Sequence, residues 1–523
     1  MSGKIQLYFH TIRYLKPRQV FHRLGRYLGI QSTLRGMRVS SMETCIPLRA
    51  LEALDYDPIF LHRFSVPDLM ADRVSFLHEE EHMDWNSAWR KETRSPLWNF
   101  NLHYFEFLHP LTKQYLETGS ACYLEKTVQM IRGWILQNPK EQAGDGWSSY
   151  AISLRLTNWL AYLSAVGQQL DADFRRELTA SIHEQYAWLS THLEMDILGN
   201  HYFENLKALV LCALFFHDTS ALSAALPAFR AECQEEILPD GMHFELSPMY
   251  HKIVLEGLLR VCAALRAADQ PDGQLEALAQ SMLDAAYAME NGLSRTPLFN
   301  DSGDNTAKSL QALLTCAEQQ LGLRPTKKAS LPDSGYYFFE NGPWRLIVDA
   351  GAPGPDYIPG HSHCDAMSFE LFRSGEPVLV NSGTYAYQCP QRHWFRSTEA
   401  HNTVQISGVE QSQIWGTFRL AKRSRTRVLD LNAERIRMEL TDYRGNRICR
   451  ELRLTSDALY LTDQAPGKPL CSHLHTRIPM EIRSNAAITR KQSPYAPEYG
   501  LQLTADHITV SGTGTLDIQI PLP

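Results

Sequence analysis

The sequence predicts an α+β, multidomain protein. A basic N-terminal arm covers residues 1–44, a helical domain 45–328, and an antiparallel β-sandwich 329–523. Three observations carry that division. Eight cations and no acid fill the first 38 residues. Apolar residues then recur at helical spacing up to about residue 325. Across Arg324-Pro-Thr-Lys-Lys-Ala-Ser-Leu-Pro-Asp-Ser-Gly335 the texture changes to short alternating or β-branched runs. At 523 residues the chain exceeds one ordinary core, so two or three domains are expected.

The arm interleaves Lys4, Arg13, Lys16, Arg18, Arg23, Arg26, Arg35 and Arg38 with Leu7, Phe9, Ile12, Tyr14, Leu15, Val20, Phe21 and Leu24. That pattern reads as a basic amphipathic segment. Either it touches an anionic membrane surface, or it packs along the main body with its charges in water.

Helices are predicted over 110–118, 121–137, 150–167, 172–193, 202–216, 220–238, 249–268 and 274–292. Pro110 suits a first helical position, where a missing N–H costs nothing. Antiparallel helices of this length build bundles, solenoids or α/α toroids, and periodicity leaves all three open. Strands are predicted over 344–349, 368–372, 378–380, 402–406, 436–440, 451–454 and 508–510, divided by Gly, Asp and Asn turns.

A net charge of −7 with 21% charged residues excludes the basic domain of a nucleic-acid protein. The longest nearly apolar run, 208–216, is too short to span a bilayer. The first ten residues lack the apolar segment and cleavage site of a secretory signal. Ten scattered cysteines without ligand-type spacing imply a reduced compartment. The expectation is a cytoplasmic chain, peripheral at the inner membrane.

Candidate chemistry concentrates in Gly360-His-Ser-His-Cys-Asp-Ala-Met-Ser-Phe-Glu-Leu371. If this stretch is extended, His361 and His363 face one cavity, and Cys364 faces away. Imidazoles grouped this way suit metal ligation or proton handling. Two polar clusters follow, Val380-Asn-Ser-Gly-Thr-Tyr385 and Arg396-Ser-Thr-Glu-Ala-His-Asn-Thr403. In the helical half, Gly199-Asn-His-Tyr-Phe-Glu-Asn205 opens a helix, with Asn200 a competent cap residue. Asp240 to His251 reads as a turn followed by a helix that starts near Tyr250. Trp98, Tyr104, Trp147, Tyr150 and Trp159 either stack on sugar rings or pack in the core.

Together these motifs resemble the heparinase II/III-like polysaccharide lyases, in the same order along nearly the whole chain. The resemblance implies an incomplete α/α toroid followed by an antiparallel β-sandwich, with the active site between them. It implies β-elimination next to a uronic acid in an acidic polysaccharide or oligosaccharide. Asn200, helped by His201 or His361, would neutralise the substrate carboxylate. Tyr250 would protonate the glycosidic oxygen and could also act as base if nearby cations lowered its pKa; for the opposite stereochemistry His201 or His361 would take the proton. Tyr104, Trp147, Arg155, Glu245, His251 and Arg396 are the expected glycan contacts.

The family's zinc ligands correspond to His363, Asn381 and His401, with Asn381 where the family usually has Asp. A neutral amide leaves the metal short of a compensating charge. Either the metal is weaker or absent, or Asp365 or another acid substitutes. Relatives without an export signal imply a role in bacterial surface-polysaccharide metabolism. Three other readings stay open: a uronate C5-epimerase, a non-catalytic glycan-binding or assembly protein, and an inverting hydrolase drawing on Glu204, Glu245, Asp301 or Asp304.

Overall fold

The computed structural model describes residues 2–40, 45–87, 89–140, 144–304 and 306–522. The end of the arm at residue 44 lies outside them. Two helices, Ser2–Ile12 and Pro17–Tyr27, form the arm. The helical half follows with Leu108–Thr118, Ala121–Gln137, Ser149–Val166, Ala172–Leu189, Asn200–Phe215, Thr219–Glu236, Pro248–Ala267 and Gly273–Glu290. Each predicted helix is present, with ends moved by a few residues. Pro110 is the third residue of its helix rather than the first; that N–H lies within the unpartnered first turn, so proline is tolerated there too. A short hairpin, Arg73–Phe76 with Glu79–His82, interrupts the region expected to be helical.

The helix Asn200–Phe215 is the axis of this half. All its residues except His201 are buried, which is the signature of a helix packed on every side. It lies against Ser149–Val166, Thr219–Glu236 and Pro248–Ala267. Its leucines, such as Leu206 and Leu209, are fully enclosed, and truncating either to alanine would cost about 2–5 kcal/mol. A second knot of the core joins Trp85, Trp89, Trp98, Trp134 and Trp159 to Phe105 and Phe107. Trp98 and Trp159 are therefore packing residues.

The C-terminal half is a 13-stranded antiparallel sheet. Its strands include Tyr336–Asn341, Trp344–Asp349, Phe369–Arg373, Arg435–Thr441 and Arg447–Leu454. The 19-residue strand Ala458–Thr476 joins the parts, pairing in turn with Arg447–Leu454, Val404–Ile406, Glu376–Leu379 and the 21-residue strand Leu501–Pro521. Alternation along these strands sends one face into a shared core that includes Leu346, Phe369, Met438, Leu452, Leu461 and Val510. The sequence pattern located most of the short strands but not the length of these two. A bulge between Ala465 and Pro469 breaks their register and absorbs the turn residues.

Candidate active site between the two halves

The site forms where the helix starts at Asn200 and Pro248 meet the loop that precedes the strand Phe369–Arg373. That loop is not a strand at His361 and His363, as the spacing suggested, yet both imidazoles reach the same carboxylate. Nδ1 of His361 lies 3.0 Å from Oδ2 of Asp301, and Nε2 of His363 lies 2.9 Å from Oδ1. Thr384 donates to Oδ1 at 3.0 Å, and the Arg392 guanidinium grips both oxygens, at 2.7 Å on Oδ2. Burial pushes Asp301 upward, but Arg392 together with the hydrogen bonds from His361 and His363 outweighs it and holds the carboxyl well below the usual range. An ionised Asp301 only accepts, so both imidazoles donate to it. Nε2 of His361 and Nδ1 of His363 are left as lone pairs.

Nε2 of His361 faces Nδ2 of Asn200 at 3.5 Å, and Nδ2 also donates to Oε2 of Glu245 at 3.4 Å. Asn200 is the first residue of its helix, not the cap; Gly199 caps it. Glycine is required there. It has φ +61°, and a Cβ would lie 2.6 Å from Oε1 of Glu245 and 2.8 Å from Ile358. The same crowding turns the Asn200 amide into the site.

Tyr250 is the third residue of the helix Pro248–Ala267, whose cap is Ser247. The Ser247 hydroxyl accepts the Tyr250 N–H at 3.3 Å and donates to the Asp301 carbonyl at 2.7 Å. One cap thus ties this helix to the segment carrying Asp301. The Tyr250 ring stacks obliquely on His361, with centroids 4.0 Å apart. Its hydroxyl meets that of Tyr387 at 2.7 Å, and Tyr387 meets Tyr499 at 2.9 Å. Burial drives Tyr250 well above the ordinary phenol value, so no cation lowers it toward a base.

His201 is the exposed edge of the site, with 37% of its side chain open. Nδ1 pairs with Oε1 of Glu194 at 3.1 Å. Burial lowers its pKa, but Glu194 outweighs this and the net value is raised. Asn205 holds Oε2 of Glu194 at 3.1 Å, one turn beyond His201. The ring of Tyr150 lies 4.4 Å from His201, and Tyr104 packs edge-on behind Tyr150 at 6.0 Å.

The remaining expected glycan contacts are engaged inside the protein. Arg155 is fully buried, bonded to Gln185, His103 and Gly146, with its guanidinium over Trp134. Trp147 donates to the Asn138 carbonyl at 2.9 Å. His251 accepts the His243 N–H and bonds the Met282 carbonyl, and burial pulls it down to about 3. Arg396 holds the carbonyls of Ser362, Gly416, Thr417 and Arg419. These four brace the framework. Of that group, Glu245 stands in the site.

A candidate cation site lies behind the histidine pair. His363, Asp365 and His401 bring ligand atoms within 4.8 Å of one another, all buried. Nδ1 of His363 and both nitrogens of His401 have no hydrogen-bond partner. Burial lowers His363 to about 4 and His401 further, keeping both neutral, the form that ligates. Two imidazoles and a carboxylate suit zinc, and Asp301 supplies the outer contact on Nε2 of His363. Asn381 is not presented as a ligand. Its Oδ1 accepts the Asn402 N–H at 3.1 Å, which leaves the NH₂ side facing inward. Asp365 is the acid grouped with the two histidines. Cys364 points away, toward the Ser412 carbonyl and Leu420.

Of the four hydrolase carboxylates, Glu245 stands in the site with Oε1 unpartnered, and the other three are engaged. Glu204 pairs with Lys207, Asp301 with Arg392, and Asp304 accepts the Thr296 N–H. Asp301, Arg392, Tyr387, Tyr499 and Glu194 carry no role in the motif reading. Only the Asn-His-x₃-Asn spacing that brings Asn205 beside Glu194 and His201 could have pointed to one of them.

Comparison with known proteins follows this geometry. The family model described as heparinase II/III N-terminus matches residues 11–325, and the one described as heparinase II/III-like, C-terminal, matches 323–470. A heparin-sulfate lyase of Pedobacter heparinus is 24% identical over 347 residues, 59% of this chain and 51% of that protein. One of Bacteroides thetaiotaomicron is 22% identical over 416 residues, 66% of this chain and 57% of that protein. The chain thus spans about half the length of the curated relatives it matches. Among solved structures, heparinase III superposes with a TM-score of 0.70 at 16% identity, covering 95% of this chain and 89% of that one. Heparan sulfate lyase HepC of Pedobacter heparinus gives 0.55 at 18%, covering 87% and 82%. These likenesses concern the fold, and they agree with a helical toroid followed by an antiparallel sheet.

Proposed function

The chain belongs to the heparinase II/III-like family, and on that premise we propose that it is a polysaccharide lyase cleaving a uronic-acid-containing glycan by β-elimination. The observation that carries this reading is the meeting of Asn200, Tyr250 and His361, from three distant segments, within 4.0 Å of His361.

β-Elimination needs three things at once. The uronate carboxylate must be neutralised so that the adjacent C5–H becomes acidic, a base must take that proton, and an acid must meet the departing oxygen. Nδ2 of Asn200 gives one hydrogen to Glu245 and turns the other to Nε2 of His361; an arriving carboxylate takes this second hydrogen and so frees Nε2. His201, held cationic by Glu194, adds charge on the open side. His361 receives the C5 proton at Nε2 because Asp301 holds the other proton at Nδ1. As the C4–O bond breaks, the Tyr250 hydroxyl passes its proton to the leaving oxygen. The products are a C4–C5-unsaturated uronate and a new hydroxyl end, with the Tyr387–Tyr499 chain placed to re-protonate Tyr250.

A cation at His363, Asp365 and His401 would supply charge that fixes the loops bearing His361 and Arg396. The protein residues derived above perform the elimination without a step at that site. An acidic polysaccharide of the bacterial surface is the glycan we assign. A second reading is favoured by the hydroxyl chain. If Tyr250 returned a proton to C5 from the opposite face, the same groups would epimerise the uronate. Ultraviolet absorbance of an unsaturated product supports the lyase; solvent deuterium uptake at C5 without cleavage supports the epimerase.

A further inference from the structure

We propose that the two-helix arm is a docking surface for an anionic lipid bilayer, an interaction separate from the glycan chemistry. Ten of the nineteen large apolar side chains exposed among the described residues fall between Ile5 and Ile30. They are not scattered. In the first helix Ile5, Tyr8, Phe9 and Ile12 follow the i, i+3, i+4, i+7 spacing of a single face. In the second, Val20, Phe21, Leu24 and Tyr27 share one face, and Leu28 follows at its end. Phe21 is 73% exposed and Tyr27 84%, far from the fate of core aromatics.

The opposite faces are already used. Gln19 is buried and donates to the carbonyls of Ile197 and Tyr357. Lys16 pairs with Glu235, Arg18 with Glu232 and Arg26 with Asp196. Trp415 donates to Thr11, and Arg423 covers the Tyr14 ring. Tyr8 also meets Trp415 edge-on at 4.8 Å, so the arm is clamped to both halves while Ile5, Phe9, Ile12, Phe21, Leu24 and Tyr27 stay open.

Charge selects the occupant. The first acid of the chain is Glu43, so the arm is uniformly basic. Lys4, Arg35 and Arg38 are exposed and form no ion pair among the described residues. An apolar stripe accompanied by unneutralised cations, Lys4 on the first helix and Arg35 and Arg38 in the segment after the second, is the composition of an interfacial segment on anionic headgroups. No described helix is long and apolar enough to cross a membrane, which is consistent with a surface mode. The anchor points also place the arm beside the site. Ile197 precedes Asn200 by three residues, and Tyr357 precedes His361 by four.

The test is co-sedimentation of the full chain with phosphatidylcholine–phosphatidylglycerol vesicles and with phosphatidylcholine alone, with mass in solution measured by light scattering. The native chain is expected to pellet with the anionic vesicles and to be released by high salt. F9D/F21D/L24D and K4E/R35E/R38E should each weaken binding by at least about tenfold. All six positions are exposed, and unchanged circular dichroism would show that the variants fold. Absence of pelleting, equal binding to neutral vesicles, or unaffected binding by either triple variant would overturn the proposal. So would a native dimer that F9D/F21D/L24D splits, since a second copy would then cover the face.

Discussion

Nδ1 of His361 lies 3.0 Å from Oδ2 of Asp301, and that contact decides which nitrogen of the imidazole looks into the site. With Asp301 ionised by Arg392, the proton sits on Nδ1 and the lone pair on Nε2. Asp301→Asn would remove the preference and leave Arg392 buried without its counter-charge. We expect kcat to fall by about 100-fold or more with a smaller change in KM. Stability should also fall, by about 3–5 kcal/mol. Denaturant unfolding beside steady-state kinetics separates the two effects. Unchanged kcat in the folded variant would remove Asp301 from the account.

Asn200→Ala should lower kcat/KM by about 10²–10³-fold, the usual cost of losing one donor to a developing oxyanion. Gly199→Ala should be nearly as harmful, because its Cβ would collide with Glu245 and Ile358. Kinetics of both variants, with circular dichroism as a control, checks this pair.

His201 gives a pH signature. Glu194 overcomes burial and raises its pKa above the ordinary value of about 6.5. The pair's contribution to stability is therefore complete below that unfolded value and is lost as pH rises through the folded one. Substrate binding should follow the same sign, with KM rising as His201 loses its proton. In Glu194→Gln the rise should begin at lower pH. A KM–pH profile that Glu194→Gln leaves in place would contradict the assignment.

For the cation site, zinc added to metal-stripped protein should raise the melting temperature, and His401→Ala should abolish the rise. Asp365→Asn should weaken zinc about 10- to 100-fold, whereas Asn381→Ala should cost much less. Calorimetric titration gives the affinities directly. The reverse order would restore Asn381 as the acid's substitute.

Arg450 and Asp463 form a fully buried ion pair at 2.6 Å between neighbouring strands. Arg450 also holds the carbonyls of Met367 and Asn402, so it braces the loops of His363 and His401. Asp463→Asn should destabilise by about 3–5 kcal/mol and loosen zinc binding as well. Chemical denaturation with and without zinc measures both.

Helices were legible because each must bury a stripe at fixed spacing, and the strand half because most of its strands alternate toward one core, although Ile347 and Phe372 bury the other face against the helical half. The lengths of 458–476 and 501–521 were not, since Gly467, Pro466 and Pro469 read as turns but sit at a bulge. Asn200, Tyr250 and His361 stood out as motif members, but the motifs did not say which members face the site. In Arg396 to Thr403, Arg396 and Asn402 spend their donors on backbone carbonyls, while His401 alone is left without a partner. Asp301 was named only as a candidate hydrolase carboxylate, and its pairing with Arg392 was invisible because a carboxylate and a guanidinium 91 residues apart carry no local pattern. Aromatic exposure was not legible in the pattern. Trp147 proved internal, while Phe21 and Tyr27 of the arm proved open.

The most direct test of elimination is ultraviolet absorbance during incubation with a panel of uronate polysaccharides, including acidic bacterial surface glycans, for the native chain and Tyr250→Phe. The account predicts a rise from the native chain, reduced about 10²–10⁴-fold in a variant that lacks only the proton-donating hydroxyl. A native rise that Tyr250→Phe leaves intact, or deuterium uptake without any rise, would contradict it.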